Sequence, residues 1–215
     1  MSQPANESEL SSFRPSTPDG VPAVLAALRA GTRELHERFD HGLGLVGPIT
    51  PERYRAVLEA FLGYYQPLEE NLARVQGLRE SGYDVLSNQR VPRLRRDLLA
   101  LGLAHEALSR LPLSPQVPAP ASVPEAFGCL YVLEGASLGG QIISRHVRQH
   151  LGLGPDNGVT FFHGHGAETG PRWKAFVGLL DRVAGHPDDI PRVVGGARAT
   201  FLLFEQWLRT RGILT

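Results

Sequence analysis

The chain is poor in cysteine and has no excess of charge of either sign. Cys129 is the single cysteine among 215 residues, so no disulfide can form within the chain and no zinc site can be built from cysteines. Lysine and arginine together number 22, as do aspartate and glutamate, so nucleic acid is not an expected partner. The sequence also lacks an apolar signal segment and any run of 18 apolar residues. These absences predict a cytoplasmic protein with no membrane partner.

Apolar residues recur at spacings of three and four along most of the chain, and no strand-like alternation exceeds four residues. This pattern predicts an all-α fold with residues 1–20 as a disordered tail and 21–215 as one helical domain. Helices are expected over about 21–42, from Pro51 onward with Thr50 as N-cap, and over 92–103, 124–150, 171–183 and 190–211. Pro67 predicts a kink or break in the second helix. The five prolines of 112–124 predict a connector, and 156–170 a loop.

Three glycines, Gly135, Gly139 and Gly140, lie inside the predicted helix 124–150. Each costs about 0.5–1 kcal/mol relative to alanine, so the cluster needs a physical reason. Gly135 and Gly139 are four residues apart and share one face of the helix. The segment alone favours tight packing against a neighbouring helix. The alternative is that the bare face admits a flat ligand close to the backbone.

His36 lies in the middle of the first predicted helix, where a lone histidine is usually a core or boundary residue. Asp40, one turn later, could accept a hydrogen bond from the ring Nδ1 and leave Nε2 to bind a metal. Arg29 lies two turns earlier, about 10 Å along the axis, where it could pair with a carboxylate of a large flat ligand. The alternatives are a helix C-terminal residue for Asp40 and a solvated charge for Arg29.

Three other groups of residues are not expected to take part in catalysis or metal binding. Cys129 is flanked by apolar residues and is expected to be a buried, inert thiol. His163 and His165 share a glycine-rich segment that favours a surface loop over a metal site. A basic cluster is expected to form one solvated helix face; it consists of Arg90, Arg93, Arg95 and Arg96.

Two runs of residues are similar to a known family. The run Leu28–His36 resembles the proximal helix of heme oxygenases, where a leucine, a basic residue, a threonine and the iron-binding histidine recur at this spacing. The run Gly135–Gln141 resembles that family's distal helix, whose glycines bend it over the heme. The later runs Phe162–Gly166 and Thr169–Trp173 resemble the bacterial branch associated with bacteriophytochromes. The likeness covers nearly everything after residue 20.

The resemblance implies a helical bundle that holds heme between its proximal and distal helices. It implies His36 as the axial iron ligand and Gly135 and Gly139 as the positions of close approach during catalysis. It further implies heme contacts from Arg29, Thr32, Asp40, Lys174 and Phe201. Mammalian members carry an aspartate directly after the first glycine, where it orders distal water, whereas this chain has Ala136.

The implied activity is the oxidative opening of heme to biliverdin, carbon monoxide and ferrous iron, with heme as both substrate and cofactor. Electrons would come from an external donor such as a ferredoxin or a reductase, because no flavin or iron–sulfur motif is present. A bacteriophytochrome is an expected recipient of the biliverdin.

Three alternatives remain open at the level of sequence. A heme-binding or heme-sensing protein without turnover would use His36 and the glycine face equally well. An enzyme similar to the thiamin-degrading relatives of the superfamily would need an exposed nucleophilic cysteine, which Cys129 fits poorly. A helical adaptor would bind no heme.

Overall fold

The computed structural model describes residues 20–214, without the side chains of Asp40 and His41. The predicted tail, apart from its last residue, therefore lies outside the described residues. The secondary-structure elements of the described residues are all helices, which confirms the all-α prediction. Its helices are α1 (Ala23–Gly42), α2 (Pro51–Ala73), α3 (Val91–Ala100), α4 (His105–Ser109), α5 (Val123–Leu151), α6 (Thr160–His163), α7 (Thr169–Val183) and α8 (Asp189–Thr210).

Helices α5 and α8 form the most extensive helix pair of the bundle. They cross at two glycines, because a Cβ on Gly128 would overlap the carbonyl oxygen of Val193 and one on Gly196 would overlap the carbonyl oxygen of Glu125. α1 packs on α8 and α7, and α2 packs on α3. Side chains from all of these helices share one buried apolar core.

Of the predicted kink or break at Pro67, the break is wrong, because α2 continues for six residues beyond it. A proline has no N–H, so the carbonyl of Gly63, four residues earlier, has no partner within the helix. The backbone N–H of Ser114 donates to that carbonyl at 2.8 Å. The connector after α4 thus satisfies the group that the proline leaves open. The N-cap prediction is confirmed, since the Thr50 hydroxyl accepts from the N–H of Arg53 at 3.2 Å.

The predicted loop 156–170 is also partly wrong, because it contains α6 and a 3₁₀ turn at Gly166–Glu168, and α7 begins at Thr169. The buried Asp97 of α3 explains α6. Its carboxylate accepts from the N–H groups of Thr160 and Phe161, both at 2.7 Å. Asp97 thus caps the start of α6, although it lies more than 60 residues earlier in the chain.

Among the described residues, α5 alone has the length and apolar composition of a membrane-crossing helix. Its first half is buried within the bundle, from Ala126 to Glu134 with few exceptions. The apolar composition of that half follows from its position at the centre of the core. The second half carries exposed apolar residues, and these belong to the site described next.

Candidate functional site

Helix α1 is fixed to α8 along its length. A Cβ on Gly31 would lie 2.7 Å from the side chain of Val194, so the two helices approach closely there. The guanidinium of Arg198 donates to the carbonyl of Gly31 at 2.6 Å. One turn further on, the ring of His36 meets the ring of Phe201 edge-on, with centroids 6.0 Å apart.

His36 is exposed, whereas Phe201 beside it is buried. The structure therefore places these two predicted site residues together at one surface of α1. The exposed side of His36 excludes the core histidine that its mid-helix position suggested.

Helices α1 and α5 do not pack on each other extensively, and we call the space between them the cleft. Within the described chain, the backbones of these helices approach each other closely at no more than isolated points. One such point is the pair Tyr131 and Thr32. Burial raises the pKa of Tyr131, while a hydrogen bond with Thr32 and the charge of Arg29 oppose that rise. Thr32 is itself buried and donates to the carbonyl of Leu28 at 2.7 Å.

The glycines of α5 divide into two kinds. A Cβ on Gly140 would lie 2.7 Å from the carbonyl oxygen of Phe162, so this glycine packs against α6. A Cβ on Gly139 would have no atom within 4 Å, and one on Gly135 would meet only the Trp173 ring at 3.9 Å. Tight helix packing, which the sequence favoured, therefore explains Gly140 but is wrong for Gly139. The face that Gly135 and Gly139 share is bare and open.

Exposed apolar side chains border this bare face. Leu138 is 40% exposed and Ile142, one turn later, is 53% exposed. Such residues on one helix stripe mark a surface that fits an apolar ligand. The open glycine face and this stripe together form a cradle on α5 that an added Cβ would fill.

A buried ionic cluster lies behind this part of α5. The guanidinium of Arg90 pairs with the carboxylate of Glu134 at 2.8 Å, and the Tyr83 hydroxyl donates to the same carboxylate. The carboxylate of Glu69 accepts from the N–H of Arg90 at 2.6 Å. Burial alone would raise the pKa of Glu134, but the charge of Arg90 with the hydrogen bonds lowers it overall. The prediction of a solvated basic face is thus wrong for Arg90, because its partners lie on other helices.

A small cavity of about 10 Å³ separates this cluster from the turn at Ala136. Its lining residues are Arg90, Arg93, Leu133, Ala136, Ser137, Phe161 and Phe162. That volume matches about one water molecule. The guanidinium of Arg93 also contacts the ring of His165, with the nearest nitrogens 3.3 Å apart. Burial, followed by the charges of Arg93 and Arg172, lowers the pKa of His165 to about 4, so the ring is neutral at pH 7.

The other predicted residues lie on α1, on α7 and at or near α6. Arg29 is exposed on α1. Lys174 is exposed on α7, next to Trp173. Asp40 lies in α1, but its side chain lies outside the described residues. His163 and His165 join no group of three or more metal-binding side chains, and no such group exists among the described residues.

Cys129 is buried, as predicted, and burial raises its pKa to about 11. A thiol with that pKa is protonated at neutral pH, which argues against a nucleophilic role. It lies at the edge of a larger cavity of about 300 Å³ between the connector and α8. That cavity contains none of the predicted site residues, so the cleft between α1 and α5 remains the candidate site.

Sequence reasoning missed several residues of the site. The exposed stripe of Leu138 and Ile142 could have been found, because apolar residues four apart beside the glycines share their side of the helix. Trp173 could not, since only the packing of α7 against α5 brings its ring beside Tyr131 and Gly135. The bond between Tyr131 and Thr32 could not be found either, because the two residues lie on different helices.

The sequence and the fold were compared with known proteins. The family model described as heme oxygenase matches residues 23–210. A protein of Xanthomonas campestris pv. campestris (strain 8004) named heme oxygenase is 30% identical over 168 residues, which cover 75% of this chain and 92% of that protein.

The fold is similar to two solved structures. One is a heme oxygenase from Neisseria meningitidis solved with NO and CO bound, with a TM-score of 0.71, 22% identity, and coverage of 89% of this chain and 93% of that one. The other is a heme oxygenase from Leptospira interrogans, with a TM-score of 0.67, 21% identity, and coverage of 89% and 98%. At these identities the likeness establishes the fold.

Proposed function

The chain belongs to the heme oxygenase family of enzymes, and we propose that it binds heme in the cleft between α1 and α5 and opens it oxidatively to biliverdin. One observation carries the proposal. The face of Gly135 and Gly139 is open rather than packed, although glycine inside a helix costs about 0.5–1 kcal/mol per residue. Apart from the Trp173 ring of α7 near Gly135, no neighbouring group meets this face, and a ligand in the cleft would explain it.

The donor set of the cleft fits heme. His36 is an exposed histidine on α1, and it joins no group of three or more metal-binding side chains among the described residues. Heme needs only one such ligand from the protein on its proximal side, because the porphyrin supplies the other four. Bound heme supplies the iron that activates O₂ and the porphyrin that is oxidised, with release of carbon monoxide and ferrous iron.

The residues of the chain bind and orient this ligand. His36 would hold the iron, and Phe201 limits the rotation of its ring through the edge-on contact. Arg29, and Lys174 more distantly, provide the positive charges suited to the propionates. Thr32 fixes the wall of the cleft through its hydrogen bond to Leu28 and its contact with Tyr131. Asp40 is proposed to orient the imidazole from one turn away.

The glycine face acts on the opposite side. Without Cβ atoms, Gly135 and Gly139 bring the α5 backbone close to the ligand, which restricts the direction in which a small distal molecule can lie. Leu138 and Ile142 exclude water from the same side. We propose that this steric restriction selects one edge of the porphyrin for oxidation.

Ala136 provides no carboxylate to order water, so another group must do so. We propose that the small cavity beside Ala136 holds a water molecule, bound by polar groups of Ser137 and Arg93, two of the residues that line it. The Arg90–Glu134 pair fixes the cavity wall from behind. These donors would replace the missing carboxylate as the polar groups of the distal side.

We further propose an external electron donor, such as a ferredoxin or a reductase, because the sequence holds no flavin motif and its one cysteine cannot bind an iron–sulfur cluster. The segments 162–166 and 169–173 support membership of the bacteriophytochrome-associated branch, with a bacteriophytochrome as recipient of the biliverdin. A cytoplasmic location fits the cysteine content.

The test is aerobic incubation of the purified protein with heme and a reductant, followed by absorbance. We expect the heme bands to decay and the broad absorbance of biliverdin to appear. Stable heme binding without a bile pigment would instead favour the non-catalytic heme-binding or heme-sensing function, and no heme binding at all would favour an adaptor. Chromatography of the product identifies which biliverdin isomer forms.

A further inference from the structure

A hydrogen bond joins the connector between α1 and α2 to α5. The backbone N–H of Gly47 donates to Nε2 of His146 at 2.7 Å. Nε2 of His146 is therefore the acceptor of this bond. His146 also stacks on His150, with ring centroids 4.4 Å apart, which holds its ring in place.

The backbone conformation of the connector directs this N–H toward His146. Gly47 has a φ of +126°, a conformation that residues with side chains rarely adopt. The guanidinium of Arg53 anchors the same connector from the other side, since it donates to the carbonyl of Leu43 at 3.4 Å. Leu45 and Ile49, on either side of Gly47, are buried in the core and anchor the connector there, so the bond to His146 acts on α5.

His146 lies on the stripe of α5 that borders the cleft. Leu138, Ile142 and His146 follow one another at intervals of four residues and share one side of the helix. Tyr131, which contacts Thr32, lies 15 residues before His146, or about 22 Å along the axis. The open glycine face and the exposed apolar residues lie between these two points. The contact of Tyr131 with Thr32 therefore lies at one end of the cleft, and the bond of His146 with Gly47 lies at the other.

We propose that His146 is a positioning residue that holds the cleft closed around heme by tying α5 to the connector through Gly47. This inference rests on the proposed heme site. Thr32 at the Tyr131 end is buried, whereas His146 is half-buried and joins α5 to the connector through its bond to Gly47. We expect the cleft to open at the His146 end to admit and release heme, so the loss of this bond should speed both steps.

The first measurement uses the heme-free protein, in which backbone amide exchange reports the bond directly. The variant His146→Leu removes the acceptor, and His146→Gln keeps an acceptor at a similar reach. We expect faster exchange of the Gly47 amide in His146→Leu and exchange near that of the wild type in His146→Gln. Gln149→Leu, an exposed position on the same helix, is the matched control and should leave Gly47 unchanged.

The second measurement is the rate of heme dissociation into an excess of a heme-scavenging apoprotein. One ordinary hydrogen bond is worth about a fivefold change in an equilibrium constant, so His146→Leu should release heme about fivefold faster. His146→Gln should restore most of the wild-type rate. Unchanged Gly47 exchange in His146→Leu would overturn the proposal, and so would faster exchange with an unchanged rate of heme release. Failure of the proposed function appears separately, as a wild-type protein that binds no heme.

Discussion

Gly139 and Gly140 are neighbours in sequence, yet the structure gives alanine substitutions at these positions opposite effects on stability. At Gly139 a Cβ would have no atom within 4 Å, so Gly139→Ala gains helix propensity at no steric cost. The gain is about 0.5–1 kcal/mol. For a chain of this length, 1 kcal/mol shifts the melting temperature by about 2–4 °C. We therefore expect the heme-free Gly139→Ala variant to melt up to about 4 °C above the wild type.

At Gly140 the same Cβ would lie 2.7 Å from the carbonyl oxygen of Phe162. The atom in the way belongs to the backbone of α6, which Asp97 holds by two hydrogen bonds, so it cannot yield easily. Overpacking of this kind costs about 1–3 kcal/mol, against a propensity gain of up to about 1 kcal/mol. Gly140→Ala should therefore lower the melting temperature.

The larger change Gly139→Leu tests what the open face is for. A leucine there would occupy the space above the bare backbone, and an overpacking cost of about 1–3 kcal/mol would weaken heme binding roughly 5- to 150-fold. The heme-free variant should nevertheless be at least as stable as the wild type. Calorimetry of the heme-free variants and a heme titration measure both effects. A destabilised heme-free Gly139→Leu with normal heme affinity would refute the reasoning, because it would show that the face packs against protein.

Two further predictions concern the polar groups behind α5. Glu134→Leu leaves the buried Arg90 guanidinium without its partner and should lower the free energy of unfolding by about 3–5 kcal/mol, whereas the double variant with Arg90→Met should recover much of that loss in denaturant titrations. His165 has a pKa lowered from 6.5 to about 4, so between these values the unfolded chain binds more protons and stability should fall as the pH falls. His165→Asn should flatten the dependence of melting temperature on pH in that window, and an unchanged slope would show that His165 is not the titrating group.

Much of the fold could be predicted because its determinants are local. Thr50 caps α2 through its own neighbour, and the apolar spacing of α5 and α8 marks their buried sides. The errors arose where a distant group satisfied the backbone. Ser114 completes α2 across Pro67, and Asp97 caps α6 from another helix.

The residues of the site were likewise predictable where their determinants are local and not where they depend on distant groups. His36 and the glycine face could be found from spacing and family resemblance, since the residues of each lie on one helix. Whether Gly139 packs against protein or faces open space depends on which helix lies opposite, and no local pattern contains that information. The burial of Arg90 likewise follows from Glu134, 44 residues later in the chain. From the sequence alone, a charged residue is expected to be solvated unless its ion-pair partner can be identified.

The most direct test of the account is the absorbance spectrum of the heme complex of His36→Ala. His36 is exposed, so its removal leaves no core cavity and the fold should persist. We expect the wild type to bind one heme with the spectrum of a single neutral histidine ligand, His36→Ala to lose that spectrum and its turnover, and added imidazole to restore both in part. His105→Ala, an exposed histidine on α4, should change neither. An unaltered heme spectrum and unaltered biliverdin formation in His36→Ala would contradict the assignment of heme to the cleft between α1 and α5.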